Sequence, residues 1–458
     1  MAGIGFELRR AIHEASYAGT VRGYLYAAVI SSGPWLLSVI ALSLLGVFSA
    51  TFLPQEATTL FASTVTHTFA LSLITTGIFQ MVVTRYLADQ MYLNMTESIA
   101  PTFVAVLALS SAAQFLVMNL LLASTELPLE YRIPAAALYV AVSGTWVAMV
   151  FLSAAHDYVS IVVAFAVGYV ISFALAVSLG SRFGLSAYLA GFAAGQVAML
   201  GLLVSRVLAE FSPARSISLD FAGHFRLYPA LVGIGVAYNL ALWIDKFAFW
   251  FSAEGIDVGS FMNVYPAYDT SFFVASLAIV PALAVFTVNL ETDFYTYYKG
   301  FYAAILEQRS LHDLLAAKEG MVRSIRDSYL TLLKLQAAVA LLGTTLFTPA
   351  LMRAVNIPPS EWHIFRLMVL AMSVQVFLLF TTLVLLYLDL RGSVLITVSV
   401  FLATNLGFTL LTIFGGHEFY GYGFLGSTIV GTAVSLALLR NRLRNLEYLT
   451  FTRQPILQ

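Results

Sequence analysis

Five consecutive residues, Trp243-Ile244-Asp245-Lys246-Phe247, place a carboxylate and an ammonium group in a stretch, 228–252, that carries no other charge. A third ionisable group, Asp269, stands a few residues into the next apolar stretch, 265–290. An ionised side chain at the centre of a membrane helix costs roughly 2.5–3.5 kcal/mol on insertion scales, and less towards the ends of the helix, where these three fall. Such groups persist where they line a polar path, couple a movement to an ion, or pair with one another. Sequence neighbours project about 100° apart on a helix. At least one of Asp245 and Lys246 is therefore expected to look to another helix or to a water-filled cavity, with Asp269 as the partner. Asp245, Lys246 and Asp269 are the candidate cavity-lining or coupling residues. An interhelical ion pair that only fixes geometry is the bland alternative.

No other chemistry competes with them. The chain has no cysteine, which excludes thiol catalysis and thiolate metal sites. Its 7 histidines are scattered, and none pairs at metal-ligand spacing. Neither a G-x-x-x-x-G-K-[ST] loop nor H-E-x-x-H occurs. The stretches between apolar segments are too short for a catalytic domain. No enzyme, metal or cofactor is expected, and a net charge of −1 gives no hold on nucleic acid. Two prolines mark expected bends. Pro34, beside Gly33 in Ser31-Ser32-Gly33-Pro34-Trp35, cannot donate to the Ile30 carbonyl, and Pro281 acts in the same way further along.

The elements that carry these residues belong in a lipid bilayer. Hydrophobic residues make up 60% of the chain and charged ones 10%, against about 25% charged in a soluble domain. Apolar runs of about 20 residues recur, the length that crosses a roughly 30 Å hydrocarbon core. They fall at about 24–48, 63–85, 101–123, 133–155, 159–180, 185–208, 228–252, 265–290, 328–351, 362–388, 393–414 and 421–440. The expected fold is all-α, with about twelve transmembrane helices in two six-helix lobes. With the N-terminus in the cytoplasm, the outer connections hold only Arg132, Arg182, Arg353 and Arg366, Lys246 lies within a span, and the other 18 of the 23 lysines and arginines lie inside. Both termini are therefore expected to be cytoplasmic.

The expected organisation runs in five parts. Residues 1–23 form an amphipathic segment with Ile4, Leu8 and Ile12 on one face. Residues 24–208 form one lobe, 209–227 a cytoplasmic linker, 228–440 the second lobe, and 441–458 a tail. Within the second lobe, the cytoplasmic segment 291–327 repeats Leu311, Leu314, Leu315, Met321, Val322 and Ile325 at helical spacing. That stripe needs a cover. The membrane surface, the protein's own helix ends and a docked partner are the three on offer.

Several stretches carry a family resemblance. They are Met1-Ala2-Gly3-Ile4-Gly5-Phe6-Glu7-Leu8-Arg9, Ser31-Ser32-Gly33-Pro34-Trp35-Leu36, Gly77-Ile78-Phe79-Gln80, Thr84-Arg85-Tyr86-Leu87-Ala88-Asp89, Trp243-Ile244-Asp245-Lys246-Phe247, Pro266-Ala267-Tyr268-Asp269 and Ile279-Val280-Pro281-Ala282-Leu283-Ala284-Val285-Phe286. In this order they resemble the PelG family, the polytopic components of Pel exopolysaccharide systems in the MOP flippase superfamily. The resemblance implies two six-helix lobes around a central cavity in the bacterial inner membrane. It also implies export of an N-acetylgalactosamine-rich polymer beside a cytosolic PelF-like glycosyltransferase and PelD-like and PelE-like membrane partners. An ion-coupled small-molecule antiporter of the same superfamily, and a non-conducting scaffold for the synthase, are the competing readings.

Overall fold

The computed structural model describes residues 17–211, 217–259 and 261–453, so the amphipathic face expected on Ile4, Leu8 and Ile12 lies outside the described residues. Among those described, 12 helices are long and apolar enough to cross a membrane. Spans 1 to 6 are Tyr26–Ser49, Gln55–Tyr92, Thr96–Ala123, Leu129–Ala154, Tyr158–Phe183 and Leu185–Glu210. Spans 7 to 12 are Pro229–Trp250, Pro266–Asn289, Leu311–Ala354, Pro359–Tyr387, Arg391–Gly415 and His417–Arg444. In hydrocarbon a backbone must satisfy its own polar groups, and unbroken helices do so. Local residues fix the ends. Pro229, Pro266 and Pro359 open spans 7, 8 and 10, where a missing N–H costs nothing. Spans 5 and 6 are separated by Gly184 alone, whose φ of 80° makes the reversal.

By compactness the chain divides into two units, Ser32–Asp269 and Met1–Ser31 with Thr270–Gln458. In the first unit, spans 5 and 6 meet backbone to backbone. A Cβ on Gly191 would stand 2.5 Å from the Ala176 nitrogen, and one on Gly195 2.3 Å from the Ser172 nitrogen. The small-residue spacing of span 6 is thus a packing seam. Span 7 crosses span 2 in the same manner, glycine on glycine: a Cβ on Gly235 would sit 2.1 Å from the Gly77 carbonyl oxygen. Polar side chains tie the remaining helices. Tyr131 and Thr64 join hydroxyls at 2.6 Å, Thr75 donates to Gln114 at 2.9 Å, and the Trp146 indole donates to Ser72 at 3.0 Å.

In the second unit, span 8 does not end at Asn289. A π turn, Leu290–Phe294, carries it into the helix Tyr295–Leu306, and the chain reverses over 307–310 into the helix Leu311–Leu342. The amphipathic segment is therefore an extension of its two neighbouring spans. Span 9, at 44 residues, is about 66 Å long, twice the hydrocarbon thickness. The expected stripe divides. Leu314, Met321 and Ile325 are buried within this unit, whereas Leu311, Leu315 and Val322 are 66%, 41% and 38% exposed. Lys318 reaches the C-terminal helix Leu446–Arg453, with its ammonium 2.6 Å from the Glu447 carboxylate and donating to the Arg444 carbonyl at 3.1 Å.

Candidate functional site

The charged residues of span 7 come together at its end in a buried cluster. Asp245 and Lys246 are 0% and 1% exposed. The Lys246 ammonium lies 3.1 Å from both oxygens of Asp245 and donates to the Leu242 carbonyl at 2.9 Å. Helical phase alone predicts that these neighbours diverge. They pair because the 100° separation describes where each Cβ points, while the four-carbon stem of lysine lets its head fold back to the adjacent carboxylate. The i−4 carbonyl accepts a second of its protons. The carboxylate is completed from span 8, where the Tyr268 hydroxyl donates to Asp245 Oδ2 at 2.8 Å.

Asp269 sits one residue further along span 8. It accepts the Trp250 indole N–H, at 3.0 Å to Oδ1 and 2.9 Å to Oδ2, and the Tyr265 backbone N–H at 3.1 Å. Its own N–H makes the ordinary helical bond to the Tyr265 carbonyl at 3.0 Å, while its side chain takes the Tyr265 N–H that the start of span 8 leaves without a helical acceptor. Tyr268, its neighbour in the chain, ties it to the Asp245–Lys246 pair. All three predicted side chains thus belong to one network.

Three members of this network carried no sequence signal strong enough to single them out. Tyr268 stood beside Asp269 as an ordinary span tyrosine. Trp250 closes span 7 among other aromatic residues and is fully buried. His67, in span 2, is 1% exposed, with its ring 4.1 Å from that of Trp250. Its neighbour one turn earlier, Ser63, donates to the Met262 carbonyl in the connection between spans 7 and 8. At the other end of spans 2 and 7, Arg85 pairs with Asp89 at 3.1 Å and lies 5.2 Å over the Tyr228 ring. His224 stands 3.4 Å from the same Asp89 carboxylate.

The two predicted bends lie apart from this cluster in sequence. The helix Tyr17–Ser49 continues through Pro34, and Gly33 is buried. Ser38 donates to the Pro34 carbonyl at 2.8 Å and accepts from Tyr169 at 2.7 Å. Pro281 follows a 3₁₀ turn, Ser276–Ile279, whose Ala278 carbonyl is taken by the buried Gln336 amide of span 9 at 3.1 Å. A neighbouring helix thereby supplies the donor that an interrupted ladder lacks.

A connection outside the spans carries one clear charge effect. Asp157 caps span 5, accepting the Ser160 N–H at 3.2 Å, and is paired with Arg206. Burial alone would push its carboxyl up. The hydrogen bonds from Arg206 and Ser160 outweigh burial and hold it below the usual carboxylate value.

Residues 1–451 match the model of the PelG family of exopolysaccharide exporters (EPS-E). The chain belongs to the PelG family. Comparison with curated proteins finds no match by sequence. The fold of this PelG-family chain is that of the MOP superfamily. It is similar to an outward-facing multidrug resistance MATE transporter at TM-score 0.65 and 14% identity, over 92% of this chain and 96% of the other. The Vibrio cholerae MATE transporter VcmN gives 0.65 at 15% identity, over 96% and 98%. A Pyrococcus furiosus MOP superfamily transporter gives 0.63 at 14%, over 92% and 96%. This PelG-family chain is a multi-pass membrane protein with the fold of a transporter.

Proposed function

We propose that this chain carries a growing N-acetylgalactosamine-rich polysaccharide of the Pel type across the bacterial inner membrane by alternating access. In this reading both termini are cytoplasmic, and the covalent halves 24–208 and 228–440 form two six-helix lobes joined at 209–227. A PelF-like glycosyltransferase supplies the chain end, and PelD-like and PelE-like proteins are its membrane partners. Support comes from the family, from the transporter fold and from the distribution of basic residues.

The observation that carries the reading is the Asp245–Lys246–Tyr268 cluster with Asp269 beside it. Four polar groups held out of water inside an apolar bundle are costly unless used. Lys246 neutralises Asp245 within span 7, and a conformational change that separates spans 7 and 8 frees the Asp269 carboxylate from Trp250 for substrate or ion.

The segment 291–327 is the proposed dock for the glycosyltransferase, and its exposed Leu311, Leu315 and Val322 are the residues free to serve it. Leu314, Met321 and Ile325 act instead as the glue of the hairpin. The test is polymer export from cells carrying Asp245→Ala, Lys246→Ala or Asp269→Ala at matched membrane levels. Export should fall at least tenfold in one or more of them. Normal export in all three removes the functional role of the cluster.

A further inference from the structure

We infer that His67 and Asn263, set around Trp250, form a binding site for a polyhydroxylated ligand, a pyranose ring, by presenting hydrogen-bond acceptors to its hydroxyl groups. The inference deepens the transport reading above and rests on it for the class of sugar.

The imidazole is fixed by its first nitrogen. His67 Nδ1 lies 3.0 Å from the Ser63 carbonyl oxygen, which only accepts, so Nδ1 carries the proton. In the neutral ring Nε2 is then a bare acceptor. That atom is buried, and among the described residues it has no hydrogen-bond partner. Asn263 repeats the pattern. Its amide nitrogen donates to the Trp250 carbonyl at 3.2 Å, which assigns the amide, and its oxygen is buried with no partner among the described residues. Two unmet acceptors therefore belong to side chains that both touch Trp250. Buried polar atoms are nearly always paired with protein or ordered water, so two unmet acceptors beside one indole leave hydrogen-bonding capacity for a further partner.

The chemistry around them is of one kind. Asp269, on the indole nitrogen of Trp250, is a third acceptor. Aromatic surface completes the setting: Phe261 stands edge-on to His67 at 6.1 Å, and Trp243 lies 6.3 Å from Trp250. Rings that offer apolar faces beside oxygen and nitrogen acceptors suit a ligand with C–H faces and O–H rims. A neutral polyol uses these acceptors through its own hydroxyl hydrogens and needs no counter-charge, whereas an anion would meet two carboxylates. The His67 and Trp250 rings lie 4.1 Å apart, so a pyranose ring enters as that contact opens.

Two substitutions separate this from a packing role. His67→Phe keeps a ring against Trp250 and removes the acceptor, while His67→Gln keeps an acceptor and removes the ring. Each is measured for thermal stability without ligand, for export in cells, and for tryptophan-fluorescence titration of the purified chain with N-acetylgalactosamine oligomers. The expected result is a His67→Phe protein at least as stable as the parent, with export and oligomer affinity down tenfold or more, and partial recovery of both in His67→Gln. Unchanged export in His67→Phe overturns the inference. So does a large loss of stability in His67→Phe that His67→Gln repairs, since Nε2 would then have a partner inside the protein. If the parent fails to bind the oligomer while export still follows the acceptor, the hydroxyl site stands and the identity of the sugar falls.

Discussion

Removing Lys246 alone should destabilise the protein more than removing it together with Asp245. Lys246→Met strips the counter-charge from a carboxylate that is 0% exposed. Breaking a buried pair in this way costs about 3–5 kcal/mol. The Tyr268 hydroxyl remains on Asp245 but supplies no charge. Asp245→Leu with Lys246→Met replaces both charges by apolar groups of similar size, a change that in buried pairs ranges from neutral to about 1–4 kcal/mol stabilising. The Tyr268 hydroxyl then loses its acceptor, which takes back about 1–3 kcal/mol, so the double variant should be more stable than the single by about 2 kcal/mol. The assay is the denaturation midpoint of the purified protein in mixed micelles, alongside export in cells at matched membrane levels. If the cluster works in transport, the double variant regains the midpoint and not the export. Recovery of both would mean that the pair only holds spans 7 and 8 in place. A single variant as stable as the parent would refute the burial argument itself.

Further outcomes follow from other contacts. Gly235→Ala drives a Cβ to 2.1 Å from the Gly77 carbonyl oxygen, where only backbone stands, so it should cost about 1–3 kcal/mol and loosen span 7 from span 2 in cross-linking. Lys318→Glu should release the C-terminal helix to limited proteolysis, and adding Glu447→Lys should restore protection. Because Asp157 is held below its ordinary value, the stability it gains from Arg206 is full above the unfolded carboxylate range, near pH 4, and is lost as pH falls through the lowered value. Thermal melts of Arg206→Gln and parent should accordingly differ at neutral pH and converge in acid. Charging Leu315 and Val322 should release the glycosyltransferase on co-purification with the fold intact, whereas charging the buried Leu314 and Ile325 should break the hairpin. Ser310→Cys, at the turn of that hairpin in a chain with no cysteine of its own, should label from the cytoplasm, and labelling from the periplasm would invert the topology.

What the sequence made legible follows from the range of each interaction. Twelve spans could be read because lipid imposes one length and one composition on every crossing helix. Asp245, Lys246 and Asp269 stood out because charge is rare in such helices. Their pairing was not legible, since the reach of the Lys246 stem is a property of rotamers rather than of helical phase. His67 and Asn263 were missed for a related reason. A single polar residue in a span, or in the connection that follows it, looks the same whether or not its last acceptor is satisfied, and only packing tells the two apart. The stripe of 311–325 was visible as a period, but a period does not say which half of its residues the neighbouring helix covers. Phe301 and Ala304 are buried in that neighbour, as are Leu314 and Met321 in the stripe, which leaves Leu311, Leu315 and Val322 to the outside.

The central claim is that this chain itself conducts the polymer. Inverted inner-membrane vesicles carrying the synthase test it most directly, because their lumen corresponds to the periplasm. Polymer made from added nucleotide sugar should become protected from an added glycoside hydrolase, and Asp245→Asn should leave synthesis intact with the product fully digestible. Polymer that is digestible in vesicles bearing the unaltered chain, or a synthesis step that itself stops in the Asp245→Asn vesicles, would contradict conduction and leave a scaffold in its place.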